Sequence, residues 1–349
     1  MIISELNIRD IPANSKEDLE YILDNSLEST IFHSMEWNRI VAEIFEREVN
    51  IFLARNGEDP LGCIILIKQP SSGPRTLHYS PDRRMEIAYG GPLFVAENNF
   101  GEEIKTEFLK QLHSKLGNTM IEIWIPPDAN PEFLERIGYT TEPFYTSIVK
   151  LGRPNEELWK GIRPKTRNHI LKAQKSGVQI SKDGYEYLPE YYEMVKETLG
   201  SKGVQVLPIE FYEKVMKTLA PKKMAKLFMA LYNGRAVSGA IFLFYKDTVY
   251  YWHGASFEKY LNVCPNNLIQ WELIKFANGN GYKKYDLVSI EPDRLPGIAR
   301  FKMGFGGETR TFHRCFWKTP LYRFATMKYF IKHPSYGYIK IKEKLKKNG

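Results

Sequence analysis

The apolar positions of this chain fall into alternating and helical stretches in a regular order. Ile2–Ile8 alternates like a half-buried strand, while Lys16–Asn25 and Glu36–Phe45 carry apolar residues at helical spacing. Phe52–Ile67 reads as strand, turn and strand, with Asn56-Gly57 at the turn. Asn-Gly supplies the two left-handed residues that a tight hairpin takes. A helix over Glu103–Leu116 and strands over Met120–Ile125 and Tyr145–Leu151 follow. The second half repeats this grammar. Met229–Phe244 is again strand, Asn233-Gly234 turn and strand, and a glycine (Gly62 or Gly239) enters the second strand of each hairpin. Tyr250–His253 predicts an aromatic strand, Asn267–Ala277 a helix and Lys283–Ile290 a strand.

Unrelated α/β domains also share hairpins and helix–strand pairs, so the inference of duplication rests on the order being kept. Ile87–Pro92 matches Tyr250–Ala255, and Phe133–Tyr139 matches Ala299–Phe305. The offset is 177 residues at the hairpins (233 − 56) and shortens downstream. That places an inserted loop over Lys68–Pro81, which holds Pro70, Ser71, Ser72, Gly73 and Pro74. The expected fold class is α/β (α+β), two tandem domains with mixed sheets flanked by helices. The expected domains are residues 1–150 and 151–318. Residues 319–349 form a basic helical segment that suits packing on the first domain, a membrane surface or nucleic acid.

The length of 349 residues accommodates two such domains. No apolar run approaches the roughly 18 residues of a membrane helix, and Met1–Asn7 lacks the order of a signal peptide. Cys63, Cys264 and Cys315 are scattered, so neither a disulfide framework nor a metal set is expected. A cytoplasmic location is the expectation. The net charge of +8 is unevenly spread. Residues 1–150 hold 14 Lys/Arg against 24 Asp/Glu, and residues 151–349 hold 35 against 17. A basic half on an acidic one points to an anionic ligand, although a basic surface also serves solubility.

The basic half opens on a helix. Pro164 suits its first position and Gly177 its C-terminal cap. From Leu158 to Lys182 there are seven Lys/Arg and no acid. Lys165, Arg167 and Lys172 are therefore candidates for a substrate diphosphate.

Four segments together resemble the Fem-type (FemABX) aminoacyltransferases of peptidoglycan bridge formation. They are Lys165–Val178, Tyr250–Ser256, Pro265–Ile274 with Gly281–Leu287, and Gly297–Gly307. The resemblance implies two packed domains of the GCN5-related N-acetyltransferase (GNAT) fold with substrates near their junction. It implies aminoacyl transfer to a nucleotide- or lipid-linked precursor, with aminoacyl-tRNA as a possible donor and peripheral membrane contact. Two departures stand out. No heptad insertion marks a coiled-coil arm, and the glycine loop that holds a coenzyme A pyrophosphate in GNAT enzymes is missing. A coenzyme A-dependent N-acyltransferase and a non-catalytic RNA- or lipid-binding module are the alternatives. No resident cofactor is expected; acyl-CoA or aminoacyl-tRNA would be a co-substrate.

Acyl transfer to an amine needs donors aimed at a developing oxyanion and a route for the amine proton. The resemblance places the family's important lysine at Lys302, among glycines that would let backbone approach a ligand. Arg136 is its counterpart in the first copy. Phe301 and Arg300 flank it, and Phe301 suits an acyl pocket or a core. Asp286 ends an apolar strand, where acids of open sheets often face a site, and also suits a capping role. His253 is a titratable candidate in an aromatic strand, where a histidine is more often a hydrogen-bonded core residue, and Trp252 beside it is a substrate-binding candidate. Asn266, Asn267 and Gln270 surround a helix start, where an asparagine would cap and Gln270 would reach a ligand.

Overall fold

The computed structural model describes residues 1–69, 76–82, 89–96, 102–117, 119–127, 129–200 and 205–322. The first half runs β1 (Ile2–Asn7), α1 (Ala13–Asn25), α2 (Met35–Ile44), β2 (Glu48–Asn56), β3 (Asp59–Gln69), β4 (Thr76–Ser80), β5 (Pro92–Phe94), α3 (Glu102–Leu116), β6 (Thr119–Ile125), α4 (Glu132–Arg136) and β7 (Thr140–Lys150). The second half runs α5 (Asn155–Gly161), α6 (Pro164–Lys175), β8 (Gln179–Ser181), α7 (Leu188–Gly200), α8 (Ile209–Leu219), β9 (Ala225–Tyr232), β10 (Arg235–Tyr245), β11 (Thr248–Ser256), α9 (Pro265–Gly279), β12 (Lys284–Asp286), α10 (Pro296–Lys302) and β13 (Glu308–Lys318). Of the basic C-terminal segment, residues 323–349 lie outside the described residues.

All these strands form one sheet, ordered β1-β2-β3-β4-β6-β13-β7-β12-β11-β10-β9-β8, with β5 beside β3. The order is a palindrome. Each half lays five strands outward, and each contributes its last strand to the centre. The second half's β13 lies between β6 and β7 of the first, while β7 pairs with β12. Each half has one parallel pair, β4 with β6 and β11 with β12.

Side-chain alternation assigns the cores to the two faces. Ile51 and Leu53 of β2 and Ile241 and Leu243 of β10 face one core under α1, α2, α7 and α8. Phe52 and Ala54 turn the other way, toward α3 and α4. Phe242 and Phe244 turn toward α6 and α9. The first core spans both halves, and there Trp37 meets Trp252 edge-on at 5.3 Å.

Three sequence expectations need correction. In the second hairpin Asn233 (φ 51°) and Gly234 (φ 73°) form the two-residue turn as expected. In the first, Asn56 still pairs with Asp59, so the turn residues are Gly57 and Glu58. The segment read as an inserted loop contains β4, whose five residues pair with β6. The repeat's counterpart of β11 is therefore β4 and not Ile87–Pro92. Tyr89-Gly90 instead crosses the end of β4, where a side chain at position 90 would strike the Ser80 backbone. Finally, the strand over Lys283–Ile290 is regular only through Asp286.

Candidate active site

The break after β12 shapes the candidate site. Leu287 N–H donates to Ser147 O at 2.9 Å and Ile290 N–H to Tyr145 O at 2.7 Å. The chain thus still follows β7, but Val288 and Ser289 bulge out opposite Thr146. Both take left-handed backbone angles, φ 45° and 23°. That conformation is strained for any residue with a Cβ and most of all for β-branched valine. Two side chains hold it. Asp286 accepts from Val288 N–H at 2.8 Å. Lys302 Nζ donates to Val288 O at 2.6 Å and to Ser289 O at 3.0 Å.

Asp286 is buried and draws donors from both halves. Its carboxylate accepts from Tyr89 OH at 2.9 Å and from Thr146 Oγ1. Burial raises its pKa above the ordinary aspartate value, and the hydrogen bonds and the Lys302 charge only partly offset this. Lys302 is itself buried at the end of α10 and lies 5.6 Å from the centre of the Tyr251 ring. A fixed cation and a buried carboxyl are therefore brought together at the sheet's centre.

Beside them the sheet opens. Among the described residues, β11 pairs with β12 only from Thr248 to Tyr250 and then runs on to Ser256 held by β10 alone. In the first half β4 pairs with β6 along its whole length, and Gly90 N–H donates to Trp124 O at 2.6 Å just beyond. The corresponding gap is closed there. Arg136 ends α4 as Lys302 ends α10, yet its side chain is exposed and paired with Glu102 and Glu132.

Other candidates lie elsewhere. Both ring nitrogens of His253 meet tyrosines, Tyr191 OH at 2.7 Å and Tyr212 OH at 3.5 Å. Burial lowers its pKa to about 4. A bulge at Trp252 turns it and His253 to the same face, where Trp252 packs in the shared core. Gln270 is buried and accepts from Tyr285 OH rather than reaching outward. Cys264, without a side-chain cap, starts α9, so no asparagine caps it. Asn266 instead takes the Ser238 and Ser256 hydroxyls, and Asn267 is buried in the first turn.

Phe301 packs on Phe305 at 5.2 Å, and Arg300 is exposed. Lys165 and Lys172 are exposed on α6, whereas Arg167 Nη1 donates to the carbonyls of Trp159 and Lys160 at the end of α5. The glycines after Lys302 also have a different use from the expected one. A Cβ at Gly304 would collide with Thr166, at Gly306 with Gly161 O (2.6 Å), and at Gly307 with Ser147. They let the loop approach α5, α6 and β7. Tyr89, Thr146 and Tyr251 were not among the sequence candidates. The one available signal was the pair of polar residues, Thr146-Ser147, inside an apolar strand.

Residues 162–303 match the acetyltransferase (GNAT) domain family. The lipid II:glycine glycyltransferase of Staphylococcus haemolyticus is 20% identical over 234 residues, 47% of this chain and 56% of that protein. The Staphylococcus epidermidis protein of the same name is 20% identical over 213 residues, 44% of this chain and 51% of that one. The match thus spans about half the length of these relatives. The FemX crystal structure superposes with a TM-score of 0.70 at 16% identity, covering 92% of this chain and 99% of FemX. A tandem GNAT protein from the clavulanic acid biosynthesis pathway gives 0.56 at 10% identity over 91% and 98%. The fold is a doubled GNAT fold, and the resemblance to the Fem-type proteins holds in sequence and in fold.

Proposed function

We propose that this chain is an acyltransferase that moves an aminoacyl group onto an amine of an anionic, lipid- or nucleotide-linked cell-envelope precursor. The observation that carries the proposal is the sheet opening of the second half, with the buried Lys302 ammonium at its side. The similarity to lipid II:glycine glycyltransferases supports the choice of acyl group and acceptor.

In the proposed reaction the acceptor's amine nitrogen bonds to the acyl carbon and the donor's ester bond breaks. The amine's proton ends on the departing hydroxyl. Negative charge builds on the acyl oxygen in between, and a preorganised cation in a dry site stabilises it. Lys302 supplies that cation. Asp286 is a positioning residue, because its three donors are protein groups and one of them is the Val288 N–H. The acceptor's phosphates would meet Lys165 and Lys172.

The test is a mass measurement. The protein is incubated with charged tRNA and, separately, acetyl-CoA, each with nucleotide-linked and lipid-linked muropeptide acceptors. A mass gain of one amino acid from charged tRNA is expected. Transfer from acetyl-CoA alone, or from neither donor, overturns the reading.

A further inference from the structure

We propose that the face formed by α6, the turn Glu258–Val263 and α10 docks on an anionic lipid bilayer. This extends the reading above by naming the source of its acceptor. The face exposes four large aliphatic side chains: Leu171 (51%), Leu261 (47%), Leu295 (37%) and Ile298 (36%). Leu171 lies on α6, Leu261 on the turn, and Leu295 and Ile298 at the start of α10. α6 touches both the turn and Met303–Phe305, the continuation of α10, so these elements adjoin.

The same elements carry exposed cations. Lys165, Lys172 and Lys175 on α6, Lys259 on the turn, and Arg294 and Arg300 around α10 are exposed. The acids are Glu258, Glu291 and Asp293; Glu291 is held by Arg294 at 3.4 Å, and α6 and α10 have none. Lys259 lies 5.1 Å from the Tyr260 ring centre, so its charge sits beside an aromatic surface.

Leucines together with lysines match the boundary between acyl chains and anionic headgroups. Nucleic acid would use the cations but gains little from aliphatic groups, since bases stack on aromatic rings. The chain's own residues 323–349 carry eight Lys/Arg against Glu343, so a positive face repels them. A second copy presenting this face is repelled for the same reason. Docking would set α10, which ends at Lys302, beside the bilayer that holds a lipid-linked acceptor.

The full chain is sedimented with phosphatidylcholine vesicles, with and without phosphatidylglycerol. Binding is expected only with phosphatidylglycerol and should weaken with salt. Leu171→Ser with Leu261→Ser should cut partitioning by about tenfold or more, because each leucine loses its apolar transfer. Melting temperature and transfer to a water-soluble, nucleotide-linked acceptor should be unchanged in this variant. No binding to phosphatidylglycerol vesicles, unaltered partitioning of the double variant, or competition in which tRNA displaces the vesicles from this face overturns the inference. Vesicle binding without any acyl transfer sustains it while sinking the proposed function.

Discussion

Lys302 donates to the carbonyl of Val288 at 2.6 Å, and Val288 holds a left-handed φ of 45° inside the core. The lysine thus both fixes a strained bulge and brings a charge to the open end of β11. Substitution should separate these effects. Lys302→Ala leaves two carbonyls without their donor and should cost about 1–3 kcal/mol of stability. It should also lower turnover by about 10² to 10³. Adding Ser289→Gly removes the Cβ penalty at φ 23° and should restore part of the stability. Turnover should stay low in the double variant. Recovery of both together would make Lys302 a latch with no part in the chemistry.

The Asp286 cluster predicts a pH-dependent penalty. Tyr89→Phe removes a hydrogen bond from a buried carboxyl and should destabilise the protein by about 1–3 kcal/mol at neutral pH. Because the folded pKa is raised, Asp286 contributes stability below the unfolded value of 3.8 and loses it as pH rises through the folded pKa. Losing a donor to the ionised form moves the folded pKa higher still. The penalty of Tyr89→Phe should therefore grow across that window and shrink in acid. Urea titrations at several pH values would show it, and a pH-independent penalty would place the charge elsewhere.

The two-fold repetition was legible because hairpin periodicity and Asn-Gly turns are local signals. β4 was not, since Thr76–Ser80 follows a proline- and serine-rich run and gains its strand identity from pairing with β6. Lys302 and Asp286 became candidates through resemblance and position at a strand end, and the fold brings the two together. Tyr89 and Thr146 escaped because the strand exchange between halves, which brings them to Asp286, leaves no mark in local sequence. His253 and Gln270 kept two readings in the sequence because polar residues in apolar elements read alike whether the core or a ligand satisfies them, and here protein hydroxyls meet both.

Acid should weaken the fold through its histidines. His33, His78, His113 and His253 are each lowered by burial from 6.5 to about 4. The unfolded chain binds protons near 6.5 and the folded chain resists until about 4. The stability is therefore present above 6.5 and lost as pH falls toward 4, at up to about 1.4 kcal/mol per pH unit for each histidine. Asp286 opposes this trend, but as one group against these four and His313, whose pKa burial also lowers. Denaturant midpoints should fall between pH 7 and 5; a flat profile would mean that these rings titrate without unfolding.

The glycines around Lys302 should divide by packing. Gly306 has φ 79° and a Cβ there would meet Gly161 O at 2.6 Å. Gly306→Ala should cost more than about 2 kcal/mol through strain and collision together. Gly297, in the same motif, has nothing within 4 Å of an added Cβ. Gly297→Ala should leave thermal stability nearly unchanged. Equal effects would mean that the loop's glycines serve a ligand rather than the contact with α5.

Coenzyme A discriminates between acyl donors. Between the open end of β11 and α9 the chain has one glycine, Gly254, and a Cβ there would collide with the Tyr251 hydroxyl. That glycine makes room for a tyrosine. The segment lacks the repeated glycines of a loop that wraps a pyrophosphate, which needs successive permissive residues. Titration calorimetry with acetyl-CoA should show weak binding, with a dissociation constant of about a millimolar or higher, equivalent to roughly 4 kcal/mol or less. Gly254→Ala should lower stability by displacing Tyr251 and leave that weak binding as it is. A low-micromolar constant in the wild type, abolished in Gly254→Ala, would instead assign this loop to a coenzyme A pyrophosphate and the protein to acyl-CoA chemistry.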